Sequence, residues 1–171
     1  MAIYTIKCEI DSNSYGFYMF SYDYFKAAKK VSTIDFGKRI NYPAYFLYCR
    51  ALELIMKSIL LATKKYKLRD LANKNIFGHN LLKGLNILEK ENYGNEIIKL
   101  SDKERKTISD LNKWYKADEK KFEYYGVLKE IEAFSKKIEK KGKYPDLPSL
   151  DNIENIFNNF LNLRIVKYVS K

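Results

Sequence analysis

From Ala44 to Tyr66 the chain carries apolar residues on nearly every side of a helix. Leu47, Ala51, Leu54, Ile55, Ser58 and Ala62 fall on one stripe at helical spacing, and Tyr48, Leu52 and Ile59 form a second. A helix that is apolar over most of its circumference is stable only when other helices cover it, so it belongs in the middle of a bundle. Pro43 stands just ahead of it, where a helix's first turn tolerates a missing N–H.

Five further segments have the period of covering helices. Between Ser12 and Val31 the positions Tyr15, Tyr18, Met19, Tyr22, Phe25 and Ala28 recur at three and four. After a polar, basic loop from Lys67 to Gly78, a helix beginning at His79 turns Leu81, Leu82, Leu85 and Leu88 inward until Gly94 stops it. Ser101 and Glu104 form a capping box ahead of Ile108, Leu111 and either Trp114 or Tyr115. A shorter helix spans Val127, Leu128, Ile131, Phe134 and Ile138 and ends at Lys140–Pro145. Ser149 caps the last helix, with Ile153, Ile156, Phe157, Phe160 and Leu161 inward.

These segments predict an all-α fold, an up-and-down bundle of five to six helices in one domain, with residues 12–169 in the bundle and 1–11 as an extended arm. In the arm, Ile6, Cys8 and Ile10 alternate with Lys7 and Glu9, the period of a short strand. Leu163–Val169 is rich enough in β-branched residues to pair with it, a continued helix being the alternative. Only 3 Pro and 7 Gly in 171 residues leave too little turn punctuation for a sandwich of many short strands. The abundance of Tyr, Phe, Leu and Ile excludes a disordered chain.

Charge and cysteine narrow the function classes. The balance of 32 basic against 21 acidic residues gives +11, which favours a polyanionic partner. The basic set is 27 Lys and only 5 Arg in a chain also crowded with Asn, Ile and Tyr, so biased genome composition is a competing source of the charge. Bidentate phosphate grip is the work of Arg more than Lys. Cys8 and Cys49 are far apart and predict two reduced, mostly buried thiols in a reducing compartment. With one histidine there are too few ligands for a His/Cys zinc site, and no metal or cofactor is expected. No apolar h-region opens the chain, and Glu53, Lys57 and Ser58 interrupt its longest apolar run, so a cytoplasmic protein without a membrane span is expected.

The chain contains no Gly-rich phosphate loop, no HExxH helix and no Ser–His–Asp set at motif spacing. His79 and Asn80 stand at a predicted helix start, where they either face an anion or cap the helix. Glu53 and Lys57 are four apart in the order that favours an ion pair, facing either solvent or a groove. Lys57, Lys64, Lys65, Lys67, Arg69 and Lys74 against Asp70 make the most positive segment, which leads into His79 and forms either a basic rim or a solvated face. Tyr124 and Tyr125, after Lys120 and Lys121, offer rings beside cations, to stack a base or to fill the core.

The run Ala51-Leu52-Glu53-Leu54-Ile55-Met56-Lys57-Ser58-Ile59-Leu60-Leu61, followed by Gly78-His79-Asn80-Leu81-Leu82-Lys83-Gly84-Leu85, resembles the HEPN domain family. In that family a helix reading A-L-E-L-x-x-K-x-x-L precedes one opening with H-[DN]-L-x-x-L. The resemblance covers about Tyr42 to Glu91. It implies a compact, often dimeric helical bundle of a toxin–antitoxin, phage-defence or stress system. It also implies RNA, nucleotide or protein partners, a nucleotidyltransferase-like antitoxin among them.

Nuclease members of the family carry an Arg four to six residues before a His; here those places supply Lys74 and no Arg. The expectation is therefore a non-catalytic, homodimeric module that binds RNA, a nucleotide or a partner protein through Lys64, Lys65, Lys67, Arg69 and the His79 helix end. The alternatives are a metal-independent ribonuclease, with His79 as acid/base and Lys74 on the phosphate, and an interaction bundle with no anion ligand.

Overall fold

The computed structural model of the chain describes residues 14–37, 40–90, 100–115, 147–163 and 166. Among these residues there are six helices and no strand: α1 (Ser14–Ser32), α2 (Tyr42–Ala62), α3 (Leu68–Ala72), α4 (Leu81–Lys90), α5 (Asp102–Tyr115) and α6 (Leu150–Leu161). The all-α bundle expected from the periodicity is what the chain forms.

The doubly striped helix sits at its centre. Every residue of α2 from Ala51 to Leu60 is buried, and α1, α4, α5 and α6 all pack on α2. Asn41 makes the corner into it: Nδ2 donates to the Val31 carbonyl at 2.9 Å, and Oδ1 accepts from the Ala44 N–H at 3.1 Å. One side chain thus ends α1 and caps α2. Ser58 Oγ donates to the Ser14 carbonyl at 2.6 Å, pinning the start of α1 beside the second half of α2. At the other end Phe25 stacks on Phe157 at 4.2 Å and meets Tyr48 edge-on at 5.9 Å, locking α1, α2 and α6 together. The Tyr45 hydroxyl donates to the Pro148 carbonyl at 2.7 Å, and the Tyr48 hydroxyl to Glu154.

Capping follows the sequence at three helix starts. Ser101 and Glu104 exchange hydrogen bonds as a capping box, at 2.8 and 3.3 Å, and Ser149 Oγ accepts from the Asn152 N–H. At the third, Asn80, one of the two residues expected to cap, accepts from the Lys83 N–H at 2.9 Å through Oδ1, so α4 begins at Leu81 rather than His79. His79 is left in the preceding turn.

The face of α1 also differs. Ser21, Phe25 and Ala28 are buried, whereas Tyr15 and Met19, expected inward, are 45% and 39% exposed. Periodicity alone cannot orient a helix whose apolar residues are mostly amphipathic tyrosines. In α5 it is Tyr115 rather than Trp114 that is buried. The loop expected from Lys67 onward contains the short helix α3, whose first turn is closed by Asp70 accepting from the Lys67 N–H at 2.9 Å. The helix expected over Val127–Ile138, the arm with Cys8, Gly94, Tyr124 and Tyr125 lie outside the described residues. So does most of Leu163–Val169, of which Val166 is helical and buried. Cys49 is a free, buried thiol. No helix among the described residues is long and apolar enough to cross a membrane.

Candidate functional site

Glu53 is a carboxylate with no exposed surface in the middle of the most apolar helix. A buried charge is tolerable only when it is paired and hydrogen-bonded, and Glu53 has four partners. Lys57 Nζ, one turn on, lies 2.6 Å from Oε1. Arg50 Nη1, one turn back, reaches both oxygens at 3.0 and 3.1 Å. The Tyr115 hydroxyl donates to Oε2 at 2.5 Å from the end of α5. His79 Nδ1 stands 3.2 and 3.1 Å from the two oxygens. One negative charge against two positive ones leaves the cluster at +1 before His79 is counted.

Burial alone would raise the Glu53 carboxyl, but the His79 hydrogen bond and the charges of Lys57 and Arg50 outweigh it and hold the group at about 2. The neighbours respond to that charge. Tyr115 is pushed up by burial and then by Glu53. Arg50, which burial would lower, is raised by the Glu53 charge. The Cys49 thiol is raised by burial and, secondarily, by Glu53 one turn away.

His79 is positioned by a tightly built loop. The Ile76 and Phe77 N–H groups both donate to the Asn73 carbonyl, and the Gly78 N–H donates to the Leu71 carbonyl at 3.2 Å. Gly78 has φ +59°, and a Cβ there would stand 2.8 Å from Lys74 Cα. Only glycine makes this left-handed turn against the Lys74 backbone without strain. Phe77, wholly buried, lies on Gly84, whose missing Cβ makes room for the ring. Lys57 Nζ sits 5.1 Å from the same ring's centre. Lys83 Nζ straps the loop by donating to the Lys74 carbonyl at 3.0 Å.

These contacts divide the residues singled out from the sequence. Glu53 and Lys57 face neither solvent nor an open groove; both are buried and spent on each other, so they act behind the surface rather than on a ligand. Asn80 is spent on the α4 cap. His79 turns to Glu53 instead of pointing along the α4 axis at an anion. The Lys74 backbone packs against Gly78, the residue before His79, and Lys74 is exposed. Lys64, Lys65 and Lys67 are exposed on the stretch between α2 and α3, and Arg69 is exposed within α3.

Two members of the cluster were not singled out as site residues. Arg50 comes from α2, far from any motif position relative to His79, and Tyr115 comes from α5. The signal for Arg50 was the spacing Arg50-x-x-Glu53-x-x-x-Lys57, which sets a cation one turn either side of a carboxylate on an apolar stretch.

The side chain of His79 is 51% exposed, so its far edge can be reached. An ionised carboxylate only accepts, which puts a proton on Nδ1 and leaves Nε2 as the outward base of the neutral ring. Among the described residues Nε2 makes no hydrogen bond. Arg50, 30% exposed, is on the same carboxylate. No three of His, Cys, Asp and Glu among the described residues gather as metal ligands. Fold and site together define an all-α bundle with a buried carboxylate holding a half-exposed histidine beside an arginine. No family model, curated protein or solved structure matches this chain.

Proposed function

We propose that the protein is a HEPN-like helical module that binds RNA without cutting it, at the surface around His79, where Arg50 shares the Glu53 carboxylate. The observation that carries this reading is the Glu53–His79 pair: a buried carboxylate fixes the imidazole with Nε2 outward, while Arg50 on the same carboxylate and the exposed Lys74 add positive charge. Protonated, that edge donates to a phosphate oxygen; neutral, it accepts from a ribose hydroxyl. Lys64, Lys67 and Arg69 are exposed cations, and the net +11 favours a polyanionic partner. The likeness to HEPN rests on the Glu53, Lys57 and His79 motif residues, which meet in one cluster.

A second reading, a metal-independent endoribonuclease, is favoured by one observation. The Arg missing from the positions before His79 is matched in space by Arg50. In that reading Nε2 takes the proton of the 2′-hydroxyl as general base, and Arg50 or Lys74 holds the phosphate.

Binding and cleavage of a labelled mixed-sequence single-stranded RNA in EDTA, at two salt concentrations, separates the two. The binding module predicts salt-dependent binding, weakened in His79→Ala, and intact RNA. Cleavage that persists in EDTA and vanishes in His79→Ala establishes the nuclease instead. Absence of binding at low salt overturns both.

A further inference from the structure

One flank of α1 carries an aromatic ladder: Tyr18 and Tyr22 are half-buried and rest one side against the core, and Tyr15 at the end of the row is exposed. Ser21, Phe25 and Ala28 are the residues that α1 buries. About a quarter-turn away, Tyr15 and Tyr18 stack at 6.4 Å with 29° between their planes, and Tyr18 and Tyr22 stack at 6.4 Å with only 6°. Lys26 Nζ lies 4.3 Å from the Tyr22 ring centre and closes the row with a cation. Tyr15 and Met19 are substantially exposed along it.

We infer that this ladder is a stacking platform for unpaired nucleobases, so that the bound nucleic acid is single-stranded. The inference rests on the RNA-binding reading above and names the form of RNA it takes. Near-parallel rings along one helix face offer π-surfaces at a regular interval, which suits successive bases of a flexible strand and not a duplex whose bases are already stacked. Charge selects the occupant. Lys26 and Lys30 accompany the rings, with Asp23 the only acidic residue of α1. A second copy of this chain would bring its own +11 against that face, whereas a nucleic acid brings planar rings and negative charge together. The ladder also starts beside the functional helix: Ser14, next to Tyr15, accepts from Ser58, the residue after Lys57.

The test uses a short uridine-rich RNA with a single 2-aminopurine, whose fluorescence falls on stacking, and inorganic polyphosphate as a probe with charge and no bases. Variants are Tyr15→Leu, Tyr22→Leu and the conservative Tyr15→Phe and Tyr22→Phe, each checked for an unchanged helical spectrum. The expected result is quenching by the wild type and the Phe variants. Each Leu variant loses quenching and about tenfold in RNA affinity, with polyphosphate binding unchanged. Polyphosphate and RNA binding that persists in the Leu variants with full quenching overturns the ladder while leaving the anion site standing. Equal affinity for the same RNA as a duplex also overturns it. Absence of binding to either probe overturns the RNA-binding reading and the ladder with it. Concentration-dependent dimerisation lost in Tyr15→Leu assigns the face to a second copy and overturns the proposal.

Discussion

His79 Nδ1 lies 3.1 Å from one oxygen of Glu53 and 3.2 Å from the other, although 26 residues separate the two. The buried end of that contact is fixed by α2 and the exposed end by the glycine turn before α4. A rigid carboxylate beneath an accessible imidazole is an arrangement that orients the ring and leaves its other edge to act on a ligand.

Removing the carboxylate charge exposes how much the bundle depends on it. Glu53→Gln leaves Lys57 and Arg50 facing a neutral amide, and Lys57 has almost no access to water. Breaking such a pair from one side costs about 3–5 kcal/mol, whereas replacing both members with apolar groups is far milder. Urea denaturation is expected to show Glu53→Gln strongly destabilised and Glu53→Gln/Lys57→Met partly restored.

The same carboxylate sets an acid limit. Its pKa is held at about 2 in the fold against an ordinary 4.5. A group depressed on folding stabilises above its unfolded pKa and loses that contribution as pH falls toward the folded value. Wild-type stability should therefore decline between about pH 4.5 and 2, by an amount on the order of 3 kcal/mol. The decline should be much smaller in Glu53→Gln, compared by denaturation across that range.

Two glycines hold the loop in place for different reasons. A Cβ at Gly84 would stand 2.7 Å from Phe77 Cε2, driving the ring off α4 and away from Lys57. Overpacking of this kind costs about 1–3 kcal/mol. At Gly78 the cost comes from the left-handed backbone and the Lys74 Cα, about 1–2 kcal/mol. Thermal melts of Gly84→Ala and Gly78→Ala should both fall, and Gly78→Ala should also weaken RNA binding because His79 rides on that turn.

His79 itself should be dispensable for folding. Half its surface is in water and Glu53 keeps three other partners. His79→Gln is expected to change stability by about 1 kcal/mol or less while weakening RNA binding, read from denaturation and a binding titration on the same preparation.

The local features of this fold were legible in the sequence. The two stripes of α2 placed it at the centre, and the Ser101–Glu104 box and Ser149 marked the starts of α5 and α6. Glu53 and Lys57 were visible as a pair, but their burial was not, because a helix flanked on every side hides residues that an isolated stripe leaves at its edge. Tyr115 reaches Glu53 across 62 residues, a distance no periodicity spans. Arg50 is not at any motif spacing from His79 along the chain, because the bundle delivers it from the neighbouring helix. The buried face of α1 is not legible from its spacing because tyrosine is equally at home against a core and in water.

His79 is the only histidine in the chain, so its imidazole nitrogens can be observed singly in a long-range proton–nitrogen correlation spectrum of the labelled protein. The spectrum is recorded with and without a short single-stranded RNA. The Nδ1–H tautomer is expected in the free, neutral ring, the reverse of the usual preference in water, with a shift centred on Nε2 when RNA is added. An Nε2–H tautomer, or nitrogen signals unmoved by saturating RNA, would contradict that expectation.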